Sequence, residues 1–229
     1  MKTKLVEVFQ IGSERGGILD VPEKYWPDPG QYLPCQRAAG SSELLTTQVF
    51  RILGDEGLLS LSPIPEDWQP GDQLWVGTPQ GHGFSLRGED RRVALLPYKV
   101  SPTRLLTLVS KVLTHNASIS LFIENIPSSG IMNRLPSVVE VNQVSILLEN
   151  LDWPDFLAVD ISRDDLVGFS GLFSKDSPNL DGQVLVRTPM PCRELGECGV
   201  CSVRTTRGWK YACIDGPVFS FKEVLHVAQ

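Results

Sequence analysis

The sequence predicts a multidomain α+β protein in which an antiparallel β-barrel is followed by a parallel α/β domain and a small C-terminal cysteine-rich domain. Short β-rich runs between turns built from Pro, Gly and Asp fill roughly the first third of the chain. Strand and helix patterns then alternate, as in parallel α/β units. Four of the five cysteines fall between Cys192 and Cys213, near the end of the chain.

The first domain is predicted over residues 1–88. The segments "KLVEVFQIG", "QVFRILG" and "GLLSLSP" are rich in β-branched and aliphatic residues and have the length of strands. The intervening "PDPG", "QPGD" and "TPQGHG" are turn sequences. Many short strands at this spacing favour a small barrel or sandwich.

The second domain is predicted over residues 89–183. The apolar run "RRVALLP" predicts a buried strand, and "SPTRLLTLVSKVLTHN" predicts a helix with Ser101 as N-cap and Asn116 at its end. The strand pattern "ASISLFIEN" follows. Strand, helix and strand with short connections indicate a parallel α/β unit. The polar segment Phe173–Gln183 is the predicted linker to the third domain.

Composition excludes two classes of partner. The 229-residue chain carries a net charge of −6, so it lacks the excess of basic residues that is typical of nucleic-acid-binding proteins. Its apolar runs are too short to cross a bilayer, which predicts no membrane association. We therefore expect a cytoplasmic protein, in which clustered cysteines serve as metal ligands or redox groups more often than as disulfides.

The third domain, residues 184–229, contains Cys192, Cys198, Cys201 and Cys213. Spacing alone leaves three interpretations open: a four-thiolate zinc site, buried or disulfide-bonded cysteines, and an iron–sulfur cluster. Zinc sites usually have two close cysteine pairs, whereas a [2Fe–2S] site can use a close group of three and a distant fourth. Gly196 and Gly199 suit a backbone that bends around an inorganic core. Cys35 stands apart and is predicted to be a small core residue.

The segment "CRELGECGVCSVRTTRGWKYACIDGPVFSFKEV" resembles the cluster-binding domain of the dihydroorotate dehydrogenase electron transfer subunit family. The cysteine order and the following "CIDGPVF" agree together with that family. The resemblance implies that Cys192, Cys198, Cys201 and Cys213 ligate a [2Fe–2S] cluster. It also implies a ferredoxin-reductase-like fold, with a flavin-binding barrel and a nucleotide-binding α/β domain before the cluster domain. Five residues separate Cys192 from Cys198 here, where four are usual between the first two cysteines of the family, so this loop should be longer.

This sequence matches only some of the motifs with which the family binds its nucleotides. "PDPGQYL" and "WQPGDQLWVGTPQGHGF" resemble family segments, and the resemblance makes Gly81 and Gly83 candidates for a turn beside the flavin. However, the Leu44–Ile52 strand lacks the family's Arg-Pro pair, so the binding of FAD stays open. "LLPYKVSPTRLL" replaces the family's glycine-rich phosphate loop, which predicts that NAD is not bound. Lys99 and Arg104 could still attract an anion there, although solvated charges are the more common case.

Two functions are compared. The first is an electron transfer subunit whose cluster relays electrons to or from a partner flavin-containing dehydrogenase, rather than a stand-alone enzyme. The alternative is a zinc- or cluster-stabilised binding or regulatory module without nucleotides. Trp209 and Phe219 flank the fourth cysteine and are expected to shield a cluster or to dock a partner. A loose acidic set is predicted to form a solvated surface; it comprises Asp152, Asp155, Asp160, Asp164 and Asp165.

Overall fold

A computed structural model describes residues 1–38, 45–54, 57–125, 129–173, 180–192 and 196–225. Among the helices of these ranges, none has both the length and the apolar character that a bilayer span requires. The predicted linker lies partly outside the described residues, because 174–179 do not belong to them, and so does Leu44 of the strand compared with the flavin-binding one.

The first part of the chain is a closed antiparallel barrel with the strand order β1-β2-β5-β4-β3-β6. Its strands are β1 (Lys2–Ile11), β2 (Glu14–Leu19), β3 (Tyr32–Arg37), β4 (Thr47–Arg51), β5 (Leu59–Ser62) and β6 (Gln73–Val76). Alternate side chains point inward and form one apolar core around Trp68, which is 1% exposed. Cys35 lies in this core and is fully buried, as predicted.

The second part is a six-stranded sheet with the order β14-β11-β10-β7-β8-β9. Its strands are β7 (Arg92–Pro97), β8 (Ser118–Ile123), β9 (Val139–Gln143), β10 (Phe156–Ser162), β11 (Gly182–Arg187) and β14 (Val218–Ser220). All neighbouring pairs are parallel except β11 and β14, which are antiparallel. After β7 the chain builds the sheet outward through β8 and β9, then returns to place β10 on the other side of β7. The barrel followed by a parallel α/β sheet confirms the predicted order of folds.

The helices of the described chain are short. They are α1 (Val109–Thr114), α2 (Ser129–Met132), α3 (Val144–Glu149), α4 (Leu166–Ser170), α5 (Ala212–Asp215) and α6 (Phe221–Leu225). Three 3₁₀ turns span Glu23–Tyr25, Leu105–Leu108 and Arg163–Asp165.

The helix predicted from Ser101 is shorter than expected. A 3₁₀ turn precedes α1, and the Ser101 hydroxyl lies 3.1 Å from the Thr103 hydroxyl instead of capping a helix. Asn116 ends this region as predicted, with a left-handed φ of 52°.

The cysteine segment leaves the sheet after β11 and returns to it at β14. Between them, β12 (Ser202–Thr205) and β13 (Gly208–Tyr211) form a two-stranded hairpin. Cys201, Val203 and Cys213 belong to the same apolar cluster as the sheet residues. The boundary proposed between residues 183 and 184 falls inside β11, and the three-domain division stays a proposal.

Candidate metal centre

The four cysteines of the C-terminal segment differ in exposure. Cys201 and Cys213 are buried, Cys192 is half-buried, and Cys198 is exposed. Cys192 follows β11, Cys201 directly precedes β12, and Cys213 lies in α5. The segment therefore holds two thiols in the interior and presents a third toward the surface.

The β12–β13 hairpin explains why two distant cysteines meet. Ser202 pairs with Tyr211, so the residues just beyond this pair lie at the open end of the hairpin. The Ala212 N–H donates to the Cys201 carbonyl at 3.0 Å, and the Sγ atoms of Cys201 and Cys213 are 3.3 Å apart. A hydrogen-bonded register thus places the third and fourth cysteines side by side.

The loop that precedes Cys201 bends at two glycines. Gly196 and Gly199 have φ values of 68° and 70°, in the left-handed region that favours glycine. The Ser202 N–H donates to the Gly199 carbonyl at 3.2 Å, which closes the turn. Cys198 lies between these two glycines and is exposed. Residues 193–195 of the long first gap lie outside the described chain.

The surroundings of the clustered cysteines disfavour deprotonation of their thiols when no metal is bound. Burial raises the pKa of Cys213, and the neighbouring thiols of Cys201 and Cys192 act in the same direction, so that it reaches about 12. Three thiols therefore interact at one place where negative charge is disfavoured. A bound cationic centre inverts this situation, because it deprotonates its thiol ligands and compensates their charge.

This donor set fits an iron–sulfur cluster in its chemistry. Cys213 lies against Cys201 and also interacts with Cys192, and Cys198 lies on the adjoining glycine loop. In the ranges that the structure describes, no set of three or more His, Cys, Asp or Glu side chains is already arranged as a metal site. The ligand set of four cysteines stays a prediction.

Sequence reasoning missed Arg163, which supports the cysteine loop from the sheet. Arg163 follows β10 directly, and its Nη1 donates to the carbonyls of Val200 and Ser202 at 2.5 and 3.3 Å. These carbonyls flank Cys201 on both sides. An arginine at the end of a strand carries no signal of this role in the sequence, because its partners lie 37 and 39 residues away.

The Gly81–Gly83 turn docks on the segment that carries Cys213. The His82 N–H donates to the Gly216 carbonyl at 2.6 Å, and His82 Nδ1 lies 3.1 Å from the Asp215 carbonyl. A Cβ on Gly81 would lie 2.5 Å from Pro217 Cδ, and one on Gly83 would lie 2.8 Å from the Pro29 carbonyl. Close backbone packing therefore accounts for both glycines. Their predicted place beside a flavin stays untested.

The remaining candidates from the sequence take different roles. Arg51 at the end of β4 stacks on the Trp26 ring at 4.7 Å. Lys99 pairs with Asp165 at 3.1 Å, which does not favour the alternative of an anion site there. Trp209 is 68% exposed, whereas Phe219 is buried.

Asp160 corrects the prediction of a solvated acidic set. It is fully buried, because Arg104 and Arg187 pair with its two carboxylate oxygens at 2.7 and 2.8 Å. These partnerships also remove Arg104 from the anion site considered above.

Comparisons with known proteins agree with the geometry. Residues 190–225 match the family model of the iron-sulfur cluster binding domain of dihydroorotate dehydrogenase B. The gamma subunit of sulfhydrogenase 1 from Pyrococcus furiosus is 48% identical over 31 residues, which are 14% of this chain and 11% of that subunit. This chain thus matches only a small part of that curated relative.

Solved structures share the fold over most of the chain. A chain of the NADH-dependent reduced ferredoxin-NADP oxidoreductase, studied for flavin-based electron bifurcation, has a TM-score of 0.71 and 16% identity, covering 96% of this chain and 88% of its own. A ferredoxin NADP⁺ reductase from Neisseria gonorrhoeae with bound FAD and NADP has a TM-score of 0.56 and 11% identity, covering 82% and 97%.

The chain thus has a ferredoxin-reductase-like fold, and its residues 190–225 match an iron–sulfur cluster binding domain. More narrowly, residues 190–225 resemble the cluster binding domain of dihydroorotate dehydrogenase B, within a chain whose fold is ferredoxin-reductase-like. The fold class and the resemblance inferred from the sequence are thereby confirmed.

Proposed function

We propose that the chain is the electron transfer subunit of an oxidoreductase complex, in which a [2Fe–2S] cluster relays electrons to or from a partner subunit. The observation that carries this proposal is the meeting of Cys192, Cys201 and Cys213 within a segment that matches a cluster-binding family. When bound, such a cluster accepts and releases single electrons.

Residues of this chain would bind the cluster and shield it from water. Cys192, Cys198, Cys201 and Cys213 are the proposed ligands. We expect the glycine loop to direct backbone N–H groups toward the site, and such donors tune the potential of a cluster. Burial of Cys201 and Cys213 keeps water from one side of the site.

Exposed side chains of the cysteine segment support the proposal that the chain binds a partner subunit. Cys198 and Val200 are exposed next to the proposed ligand Cys201, and Val200 is 42% accessible. Trp209, farther along the hairpin on β13, is 68% accessible. Aromatic and aliphatic side chains of this kind are enriched in protein interfaces. We propose a flavin-containing dehydrogenase subunit as the partner, in the cytoplasm. The gamma-subunit relative from Pyrococcus furiosus belongs to a hydrogenase, and it supports a multisubunit redox assembly.

The test is anaerobic purification followed by a visible spectrum and by determination of iron, acid-labile sulfide and zinc. We expect a brown protein with about two iron and two sulfide per chain. A colourless protein with stoichiometric zinc contradicts the proposal and supports the binding-module alternative. A yellow component that persists after the cluster is bleached identifies bound FAD.

A further inference from the structure

The sheet has one topological switch point, between β7 and β10. The chain proceeds from β7 to β8 and β9 on one side, and from β10 to β11 on the other. In doubly wound sheets, nucleotides bind in the crevice outside the carboxyl ends of the two strands at such a point. Here Pro97 ends β7, and its register partner Asp160 lies near the end of β10, before Ser162.

Charged side chains fill this crevice. Arg104, in the loop after β7, donates from Nε to Asp160 at 2.7 Å, across the switch point. Arg187, at the end of β11, donates from Nε to the other oxygen of Asp160 at 2.8 Å. Asp160 is fully buried and Arg104 is 3% exposed, so no room for a ligand is left between them.

The barrel supplies the fourth member of this network. Glu14 of β2 accepts from Arg104 Nη1 and Nη2 at 2.6 and 2.9 Å, and from Arg187 Nη1 at 3.0 Å. The Ser62 hydroxyl donates to Glu14 at 2.7 Å. Two arginines and two carboxylates thus form a closed, charge-balanced ring that joins the barrel to the sheet.

The space beside this ring is unsuited to a pyrophosphate. A cleft of about 410 Å³ remains at the carboxyl ends of β7 and β8. Its lining includes the acidic residues Glu14 and Glu124, and Pro97 and Pro102, which have no N–H to donate; Gly12, Ser13, Val100 and Ser101 line it as well. The basic side chain on its wall, Lys99, is paired with Asp165. Phosphate sites in this position instead use the N–H groups at the N-terminus of the helix that follows the strand, whereas here an irregular segment and a 3₁₀ turn follow β7.

We propose that the ring of Glu14, Arg104, Asp160 and Arg187 takes the place of the pyridine nucleotide: it closes the switch-point crevice and fastens the barrel to the sheet. Neither NADH nor NADPH binds to the chain. If the proposed function holds, electrons then reach and leave this chain only through other cofactors or protein partners.

The first test is a calorimetric titration of the native protein with NADH and with NADPH. We expect no saturable binding up to about 1 mM, the upper end of usual substrate affinities. Saturable binding below that concentration overturns the proposal. The titration follows binding alone, so it is independent of the iron and sulfide content that tests the proposed function.

The second test concerns the fastening of the domains. Glu14→Gln leaves the buried guanidinium of Arg104 and the partly buried one of Arg187 with a single carboxylate, and should lower the Tm by about 10 °C. The matched control is Lys99→Gln, which breaks an exposed pair on the adjoining loop and should change Tm by less than about 2 °C. Equal shifts in the two variants contradict a fastening role. Failure of Glu14→Gln to fold agrees with that role, and the titration of the native protein still decides the closure of the crevice.

Discussion

At the scale of single residues, the five cysteines divide into two kinds by their surroundings. Cys35 lies in the apolar barrel core, where burial raises its pKa. Cys213 lies against two other thiols. The same side chain is therefore a small core residue in one place and a candidate ligand in the other.

Replacement of Cys201 with Ser should remove the cluster. The hydroxyl is a poorer ligand for iron than a thiolate, and Cys201 is in direct contact with Cys213. We expect the iron content to fall to less than about a tenth of the native value, as measured by iron analysis after anaerobic purification.

Cys35→Ala is the matched control for this substitution. It removes a buried thiol from the barrel core and should cost about 1 kcal/mol of stability without changing iron content. Loss of iron in the Cys35 variant, with retention in the Cys201 variant, would show that the ligand set is wrong.

Single residues also differ in whether their role could be predicted from the sequence. The candidate ligands could be predicted, because their spacing is a property of one continuous segment. The buried state of Asp160 could not, because it depends on Arg104 and Arg187, which belong to two other parts of the chain. An unpaired aspartate is normally exposed, and only the folded structure reveals the two cations that change this.

At the scale of elements, the strands were easier to predict than the helices. Turn sequences with Pro and Gly bound the barrel strands, so their approximate positions follow from local chemistry. The helix expected from Ser101 begins later, because Arg104 turns inward toward the ion-pair ring and the backbone there forms a 3₁₀ turn. Tertiary contacts have overridden the local capping signal.

The Gly81 turn is an element-scale contact that can be tested. Gly81→Ala introduces a Cβ 2.5 Å from Pro217 Cδ and 2.9 Å from the Gly216 carbonyl, at a φ of 75°. We expect a stability loss of about 1–3 kcal/mol from overpacking in addition to backbone strain, measured by thermal or denaturant unfolding.

Gly12→Ala separates these two causes. Gly12 has a φ of 56°, but a Cβ added there would meet no atom within 4 Å, so this variant carries only the backbone strain. If Gly12→Ala destabilises the protein as much as Gly81→Ala, docking of the turn contributes nothing.

Arg163 allows a test of the support that β10 gives to the cysteine loop. Arg163→Gln removes the donors to the carbonyls of Val200 and Ser202 and should speed loss of the cluster about tenfold, followed by bleaching in the presence of a chelator. Arg204→Gln is the control, since the Arg204 side chain is exposed and makes no hydrogen bond or ion pair within the described ranges. Equal bleaching rates in the two variants would exclude this support.

At the scale of the whole molecule, the ion-pair ring predicts acid sensitivity. The pKa of Glu14 is lowered from 4.5 to about 2; burial opposes this shift, and Arg104, Arg187 and Ser62 outweigh it. A carboxylate with a depressed pKa contributes stability above its unfolded value and loses it as the pH falls toward the folded value. Glu14 should therefore contribute about 3 kcal/mol above pH 4.5, lost progressively as the pH approaches 2.

The measurement is the free energy of unfolding of the native protein and of Glu14→Gln as a function of pH. The difference between them should be largest near neutral pH and should shrink as the pH falls from about 4.5 toward 2. A difference that is constant across this range would show that ionisation of Glu14 does not contribute to stability.

The path of the chain through the sheet has a consequence for how the protein is made. β14 covers the edge of β11, yet it is synthesised after all four cysteines of the segment between them. During synthesis, the apolar β11 therefore has an unpaired edge until the chain beyond Cys213 has left the ribosome. An unpaired edge of this kind is prone to aggregation and proteolysis. Pairing of β14 with β11 and gathering of the four cysteines therefore both wait for the same last stretch of chain, because Cys213 immediately precedes β14 in the order of elements.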